Sequence, residues 1–412
     1  MRHFIETIFF KRNDEPYTLN LDGKNLIISG DNGSGKTRLI ENIYEFIEKS
    51  INSHDPYTKE QLQKELNSSQ ENLKYSNRGD GNYSYLNEEI ERLKEKLKEF
   101  ESFDITFNDV VDFRVAAKKK KSIIRLFPAI REAKIKNDGK ISSLDLLLTE
   151  YGNAQRNNSK IDAGMYFERY IVTLWNYALV SKGVGKDDDY KRAFDIIESI
   201  NDDLKELFED ESIRMDFDLD KLKIYLLQNN KEPFGLDKLS SGFSSILSIY
   251  TDLLIKAELD KIRKHDMTGI VLIDEIDAHL HVTLQKKVFS FFSSSFPQIQ
   301  FIVSTHSPFV IQSVSDAIIF NLSTLDQMGD LSLYSYTAII KGLLGEDVSS
   351  DKLNALVKEL MTLVENNLFD DRFHSIMKTL QKSIDFLDKS SKAAFMIAKS
   401  KYLDYSERED DV

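Results

Sequence analysis

The apolar positions along the chain change period several times, and each change predicts an element. The stretches Phe4 to Lys11 and Tyr17 to Leu21 read as two strands, with Asn13, Asp14 and Pro16 supplying the turn between them. A third apolar run, Leu26-Ile27-Ile28, follows a turn at Asp22-Gly23 and leads straight into a glycine-rich loop. Beyond the loop, Leu39, Ile40, Ile43, Phe46 and Ile47 keep helical spacing, which predicts a helix from Lys36 to about Ser50. The unit is strand, loop, helix.

From about 58 to 102 the period shifts toward heptads, with Leu62, Leu66 and Leu73 on one segment and Leu86, Ile90, Leu93, Leu97 and Phe100 on the next. The polar stretch 76–85 separates the two, so an antiparallel helical hairpin is expected over 51–103, either packed on the body or projecting as an arm. Strand-like segments return at Ser122 to Phe127 and in the alternating stretch Met215 to Leu227. Helical periodicity dominates 161–209 and 351–402, where Leu353, Leu356, Val357, Leu360 and Leu363 form one face. The expected organisation is a head over 1–325, interrupted by the hairpin and by a helical subdomain at 130–210, and a C-terminal helical region at 326–412. The last residues, Ser406 to Val412, are acidic and expected to fray.

With 412 residues the chain has room for two or three domains at about 150 residues each. Zero cysteines exclude disulfides, thiolate catalysis and cysteine zinc sites. A net charge of -13, from 55 Lys plus Arg against 68 Asp plus Glu, works against indiscriminate coating of nucleic acid. Any DNA contact must then be local, and Lys118 to Lys121 followed by Arg125 and Arg131 is the best basic stretch for it. The acidic runs at 187–189 and 209–211 read as solvated helix ends or loops. No apolar run approaches the roughly 18 residues of a membrane span, and the N-terminus turns charged too early for a signal peptide, so no membrane association and a cytoplasmic location are expected.

Four short strings carry chemistry. Gly30 to Thr37, GDNGSGKT, satisfies G-x-x-x-x-G-K-[ST] between an apolar strand and an amphipathic helix. A phosphate chain needs convergent N–H donors and close backbone approach, which Gly30, Gly33 and Gly35 permit; Lys36 would reach the β and γ phosphates and Thr37 would ligate Mg²⁺. Gly269 to Glu275 places four large aliphatics before two carboxylates, as a buried parallel strand ending at a ligand-binding edge would. Asp274 is placed to hold the metal and Glu275 to act as base for an attacking water. Leu239-Ser240-Ser241-Gly242-Phe243 precedes an apolar-rich helix, Ser244 to Ala257, and taken alone is an ordinary helix start. Ser304 to Pro308, after the strand Ile299 to Val303, offers His306 as a donor to a terminal phosphate.

At these residues the chain resembles the ABC-type ATPase superfamily, in particular the head domains of the SMC, RecF and OLD-like group. GDNGSGKT is similar to the Walker A motif, LSSGF to the signature LSGGQ, ILID with Glu275 to Walker B, His306 to the switch histidine, and Asp277 to His281 to the D-loop of OLD-like ATPases. Two departures stand out: Ser241 where the signature has glycine, and Phe243, which lacks the polar contact of the usual Gln or Glu. The resemblance implies an α/β fold, a mixed sheet around a P-loop core. It also implies ATP and Mg²⁺ as ligands, with Gly30, Asn32, Gly33, Ser34, Gly35, Lys36, Thr37 and Arg38 as the cradle, Thr37 and Asp274 on the metal, and Lys36, Glu275 and His306 in catalysis. Because such heads sandwich ATP, Ser240, Ser241 and Gly242 would complete the site of a second copy, which implies a homodimer or higher homo-oligomer. Gln155 is the candidate for the Q-loop glutamine. Phe127 to Arg131, the segment with Tyr170-Ile171-Val172, and the tail resemble ATPases of bacterial antiphage systems of the Septu, retron and PARIS types. That implies a sensor or regulator of a separate effector, a nuclease or toxin; the alternative is a DNA repair or recombination ATPase that clamps DNA.

Overall fold

The structure is a computed structural model that describes residues 4–52, 59–76, 81–119, 121–131, 135, 142–157, 163–343 and 349–410. At the N-terminus β1 (Ile5–Arg12) and β2 (Glu15–Asn20) pair antiparallel, Ile8 opposite Leu19, through a turn in which Asn13 and Asp14 both take positive φ. β3 (Asn25–Ser29) enters the glycine-rich loop and α1 (Lys36–Asn52) leaves it, burying Leu39, Ile40, Ile43 and Ile47 in the main core.

Next come α2 (Lys59–Lys74) and α3 (Gly81–Ser102), joined through a cluster of Leu62, Leu66, Ile90, Leu93, Leu97 and Phe100. Phe46 of α1 packs on that cluster, its ring 5.7 Å from Phe100, so the base of the helix pair is anchored on the body. β4 (Phe103–Phe107) then adds to the free edge of β1. After α4 (Val110–Lys118), β5 (Ser122–Phe127) leads to a layer of three helices, α5 (Leu144–Asn157), α6 (Gly164–Gly183) and α7 (Asp187–Phe208).

The alternating stretch at 215–227 is two strands rather than one: β6 (Arg214–Asp218) and β7 (Lys223–Leu227), followed by β8 (Phe234–Gly235) in one small antiparallel sheet. Leu222 between them takes φ 50°, where the chain reverses. α8 (Ser241–Leu259) starts three residues before the helix expected from Ser244, because Ser240 already has the extended backbone of an N-cap. β9 (Thr268–Ile273), the short α9 (Val282–Gln285), α10 (Val288–Ser295), β10 (Ile299–Ser304), α11 (Pro308–Gln312), β11 (Ala317–Asn321), β12 (Asp326–Met328) and α12 (Tyr336–Gly342) follow.

Six strands make the main sheet, in the order β12-β11-β3-β10-β9-β5, with β12 antiparallel to β11 and the others parallel. β10 is buried at all six positions and β9 at five, which is why their sequences are apolar without alternation. β3, β10 and β9 are neighbours and parallel, so the loops after Ser29, Ser304 and Ile273 leave the same edge. This is where open α/β sheets bind ligands.

The first compact unit runs to Ile339, beyond the boundary expected at 325. The reason is local: β12 pairs with β11, and the Gln327 side chain brackets the Asn20 main chain, accepting from its N–H at 3.1 Å and donating to its carbonyl at 2.8 Å. The second unit, from Ile340, holds α13 (Asp351–Glu365), α14 (Asp371–Lys382) and α15 (Lys389–Asp410) around Leu360, Val364, Phe373, Ile376, Leu380, Phe395 and Ala398. Leu353, Leu356 and Leu363 of the face read from the sequence pack on that core. No helix among the described residues is long and apolar enough to cross a membrane.

Candidate active site

The loop 30–37 is shaped by its glycines. Gly30, Gly33 and Gly35 have φ of 133°, 78° and 102°, and a Cβ on Gly30 would lie 3.0 Å from Ser323 Oγ. The loop therefore folds back on itself, and Lys36 Nζ donates to the carbonyls of Gly30 and Asp31, both at 2.9 Å. Burial pulls the Lys36 pKa below the ordinary lysine value, against the opposing pull of Glu275, Asp274, Asp31 and Asp277. An ammonium has three donors, so one remains for a phosphate. Ser34 Oγ is buried in the same loop with no partner among the described residues. An anion seated in the loop would satisfy it. Asn32, Thr37 and Arg38 are exposed at the mouth.

Asp274 closes the floor of the site. Its Oδ2 accepts from Thr37 Oγ1 at 2.8 Å and its Oδ1 accepts from Ser304 Oγ, so the first turn of α1 and the ends of the adjacent strands β9 and β10 meet on one carboxylate. Ser304 Oγ also accepts from the Glu275 N–H at 2.7 Å. Glu275 takes φ 46°, an uncommon left-handed conformation for a residue with a Cβ. Beyond β10, His306 is half-buried, and both of its neighbours are anchored. Thr305 Oγ1 donates to Asp277 at 2.5 Å, Ser307 Oγ donates to Gln285 Oε1 at 2.8 Å, and Gln285 Nε2 donates to the Leu280 carbonyl at 2.9 Å. The segments on either side of the site thus hold each other.

The sequence-expected residues fall into two groups. Thr37 hydrogen-bonds Asp274, Lys36 lies within electrostatic reach of Asp274 and Glu275, and His306 directly follows Thr305, which hydrogen-bonds Asp277. Ser240 and Ser241 do not join them, and no hydrogen bond among the described residues links 240–242 to 30–38. Ser240 caps α8 only with its backbone, and both serine hydroxyls are exposed and unpartnered among the described residues. Gly242 is buried, and a Cβ there would meet the His279 carbonyl at 3.1 Å, so the signature-like turn is seated on the D-loop-like stretch of its own chain. Phe243 stacks on Phe208 of α7, 4.2 Å between centroids and 8° between planes. The aromatic thus anchors the start of α8 in place of the polar residue usual at that position.

A metal here would rest on few protein ligands. No group of three or more His, Asp or Glu among the described residues could hold an ion. One hydroxyl and one carboxylate, Thr37 and Asp274, suit Mg²⁺, which keeps waters and takes phosphate oxygens rather than an all-protein cage. The residues present fit that ion provided a phosphate chain lies in the loop.

Two contributors were not read from the sequence. Ser304 reads from the sequence only as the first residue after a strand, with no role of its own, yet its hydroxyl joins Asp274 to Glu275. Arg131 was assigned to a basic surface stretch, but its guanidinium turns inward, donating to the main-chain carbonyls of Asp274 and Glu275, both at 2.9 Å. Burial lowers its pKa to about 10, which leaves it charged at neutral pH. Arg125 likewise turns inward to Asp252 at 3.0 Å. The basic stretch keeps Lys118, Lys119 and Lys121 at the surface, while Lys120 lies outside the described residues. Gln155 sits on α5 with its side chain outside the described set. The signal that could have flagged Arg131 is its place, a cation just past the Phe-Pro end of an apolar strand.

A protein-family profile described as "AAA domain, putative AbiEii toxin, Type IV TA system" matches residues 26–312. Septu protein PtuA of Bacillus mycoides (strain KBAB4) is 41% identical over 81 residues, 20% of this chain and 11% of that protein. The Retron Vc95 probable ATPase of Vibrio cholerae serotype O1 biovar El Tor is 31% identical over 189 residues, 40% of this chain and 36% of that protein. The matches thus span well under two thirds of these relatives' lengths. Among solved structures, an SMC head bound to the C-winged helix domain of ScpA aligns with 80% of this chain and 99% of its own, at 14% identity and a TM-score of 0.36. CbiO1 from Clostridium perfringens aligns with 89% and 100%, at 11% identity and a TM-score of 0.34.

Proposed function

Because the chain belongs to the family described as an AAA domain, we propose that it is a Mg²⁺-dependent ATPase completed by a second copy of itself. The observation that carries this reading is the Asp274 carboxylate, which accepts from Thr37 and Ser304 beside a phosphate-type loop, with Glu275 immediately next to it. The loop amides, Lys36 and Ser34 bind the phosphates, and Arg38 and Asn32 flank them. Mg²⁺, held by Thr37 and Asp274, would neutralise charge on the β and γ phosphates. Glu275 takes a proton from a water whose oxygen bonds the γ phosphorus as the bond to the bridging oxygen breaks, leaving ADP and phosphate. His306 donates to the γ phosphate. Ser240, Ser241 and the open N-terminus of α8 cover the phosphates of the other copy, so loss of the γ phosphate releases the pair.

The Septu and retron names of its relatives agree with the antiphage resemblance of the sequence. On that basis the ATPase is assigned to sensing infection and controlling a separate effector, a nuclease or toxin. The DNA-clamp alternative has less to stand on, because Arg125 and Arg131 of its basic stretch face inward.

Glu275→Gln tests the reading. The variant should bind ATP, hydrolyse it about 10²- to 10⁴-fold more slowly, and double in mass on adding ATP in light scattering. Parental turnover in this variant would falsify the assignment of the base.

A further inference from the structure

One well-held side chain at the site has no part in the steps above. Arg131 makes four hydrogen bonds: Nη1 to the carbonyls of Pro128 and Asp274, Nη2 to the carbonyl of Glu275, all at 2.9 Å, and Nε to Ser245 Oγ at 3.1 Å. Its partners come from three places. Pro128 directly follows β5, Asp274 and Glu275 form the turn after β9, and Ser245 lies in the first turns of α8, close behind Ser240 to Gly242. A bidentate fork of this kind fixes direction as well as distance.

Glu275 has particular need of such fixing. Its backbone is left-handed at φ 46°, a region that side chains disfavour and that persists only where the surroundings impose it. Ser304 Oγ holds its N–H and Arg131 holds its carbonyl, so the peptide on each side of its Cα is pinned and the exit direction of the side chain is set. A general base must be placed to within about half an ångström to act. The main chain beyond it is held by the Ile276 N–H, which donates to the Ser304 carbonyl, and by the Ala278 N–H, which donates to the Glu275 carbonyl, both at 3.0 Å, and Arg131 adds the side-chain contact that reaches this turn from β5 and α8.

We propose that Arg131 is a positioning residue that clamps the turn carrying Glu275 and ties it to α8, so that the signature segment and the base of one chain move together. The proposal rests on the ATPase reading for its kinetic consequence, but not for its structural one. If it holds, docking of 240–242 against another copy's nucleotide is felt at Glu275 of the same chain through Ser245 and Arg131.

The test uses the full chain and the variants Arg131→Ala, Arg131→Lys and Ser245→Ala. Without nucleotide, hydrogen exchange at the amides of Glu275 and Ile276 should quicken about tenfold in Arg131→Ala and by less in Ser245→Ala and Arg131→Lys, with β10 unaffected. With ATP, kcat should fall about 10- to 100-fold in Arg131→Ala and partly recover in Arg131→Lys, while KM for ATP stays within about threefold. In a Glu275→Gln background the Arg131→Ala change should cost nothing further, because its effect runs through the missing base. Unchanged exchange, parental kcat, or the same loss with and without Glu275 would each overturn the clamp. If Arg131→Ala does not fold, Ser245→Ala and Arg131→Lys carry the same two readouts, and parental behaviour in Ser245→Ala overturns the tie to α8. Should Glu275→Gln keep parental turnover, the ATPase reading fails while the exchange result still decides the clamp.

Discussion

Lys36 shows how much a single side chain can report. Its ammonium is buried against two carbonyls, and burial holds its pKa below the ordinary value. An incoming phosphate chain stabilises the charged form, so the pKa rises on binding. The sign follows: bound protein prefers the proton more than free protein does, so ATP affinity falls as pH climbs through the lowered pKa and binding takes up protons there. Calorimetry in two buffers of different ionisation enthalpy, repeated at rising alkaline pH, should show net proton uptake, and Lys36→Ala should show no ATP binding. Proton release in that measurement would contradict the argument. Lys36, Thr37, Asp274 and Glu275 were legible in the sequence because each is specified by a few neighbours in a short string. Arg131 was not, since two of its acceptors lie 143 and 144 positions away and its place after Phe127-Pro128 does not name them.

At the scale of elements, the strand hardest to place from the sequence is β5. Its apolar run was visible, but its neighbour β9 lies far along the chain, and their joining depends on Gly269. There φ is 149°, and a Cβ would fall 2.2 Å from the Ile123 carbonyl and 2.7 Å from its N–H. A close approach of two backbones of this kind requires glycine. Gly269→Ala should destabilise the protein by about 3 kcal/mol or more in denaturant unfolding, since backbone atoms cannot move aside as a flexible side chain can. It should also reduce turnover, because β5 delivers Arg131. A loss under about 1 kcal/mol would mean the β5–β9 contact is looser than it stands here. The helix pair α2 and α3 was legible for the opposite reason, in that its heptad-like spacing is local and its core is built from those same positions. What anchors its base is not local in the same way, because it depends on the contact of Phe100 with Phe46.

At the scale of the whole molecule, the separation of Ser240 from the loop of its own chain leads to a test by mixing. Lys36→Ala leaves the signature intact and Ser240→Arg leaves the cradle intact, so each alone should be inactive. Mixed at equal amounts, half of the dimers should be hybrids with one complete site of two, restoring about a quarter of parental turnover. No recovery on mixing would remove the shared site. The fold class could be read from four motifs in order, whereas the end of the first unit at Ile339 could not, since it depends on the Gln327 bracket around Asn20.

The seating of Gly242 has a consequence for descent. The missing side chain leaves room for the His279 carbonyl, with Leu280 and Leu284 close behind at 3.3 and 3.4 Å. In related chains, a bulkier residue at 242 should appear together with a trimmed one at 280 or 284. The two stretches would then be inherited as a matched pair rather than drifting separately.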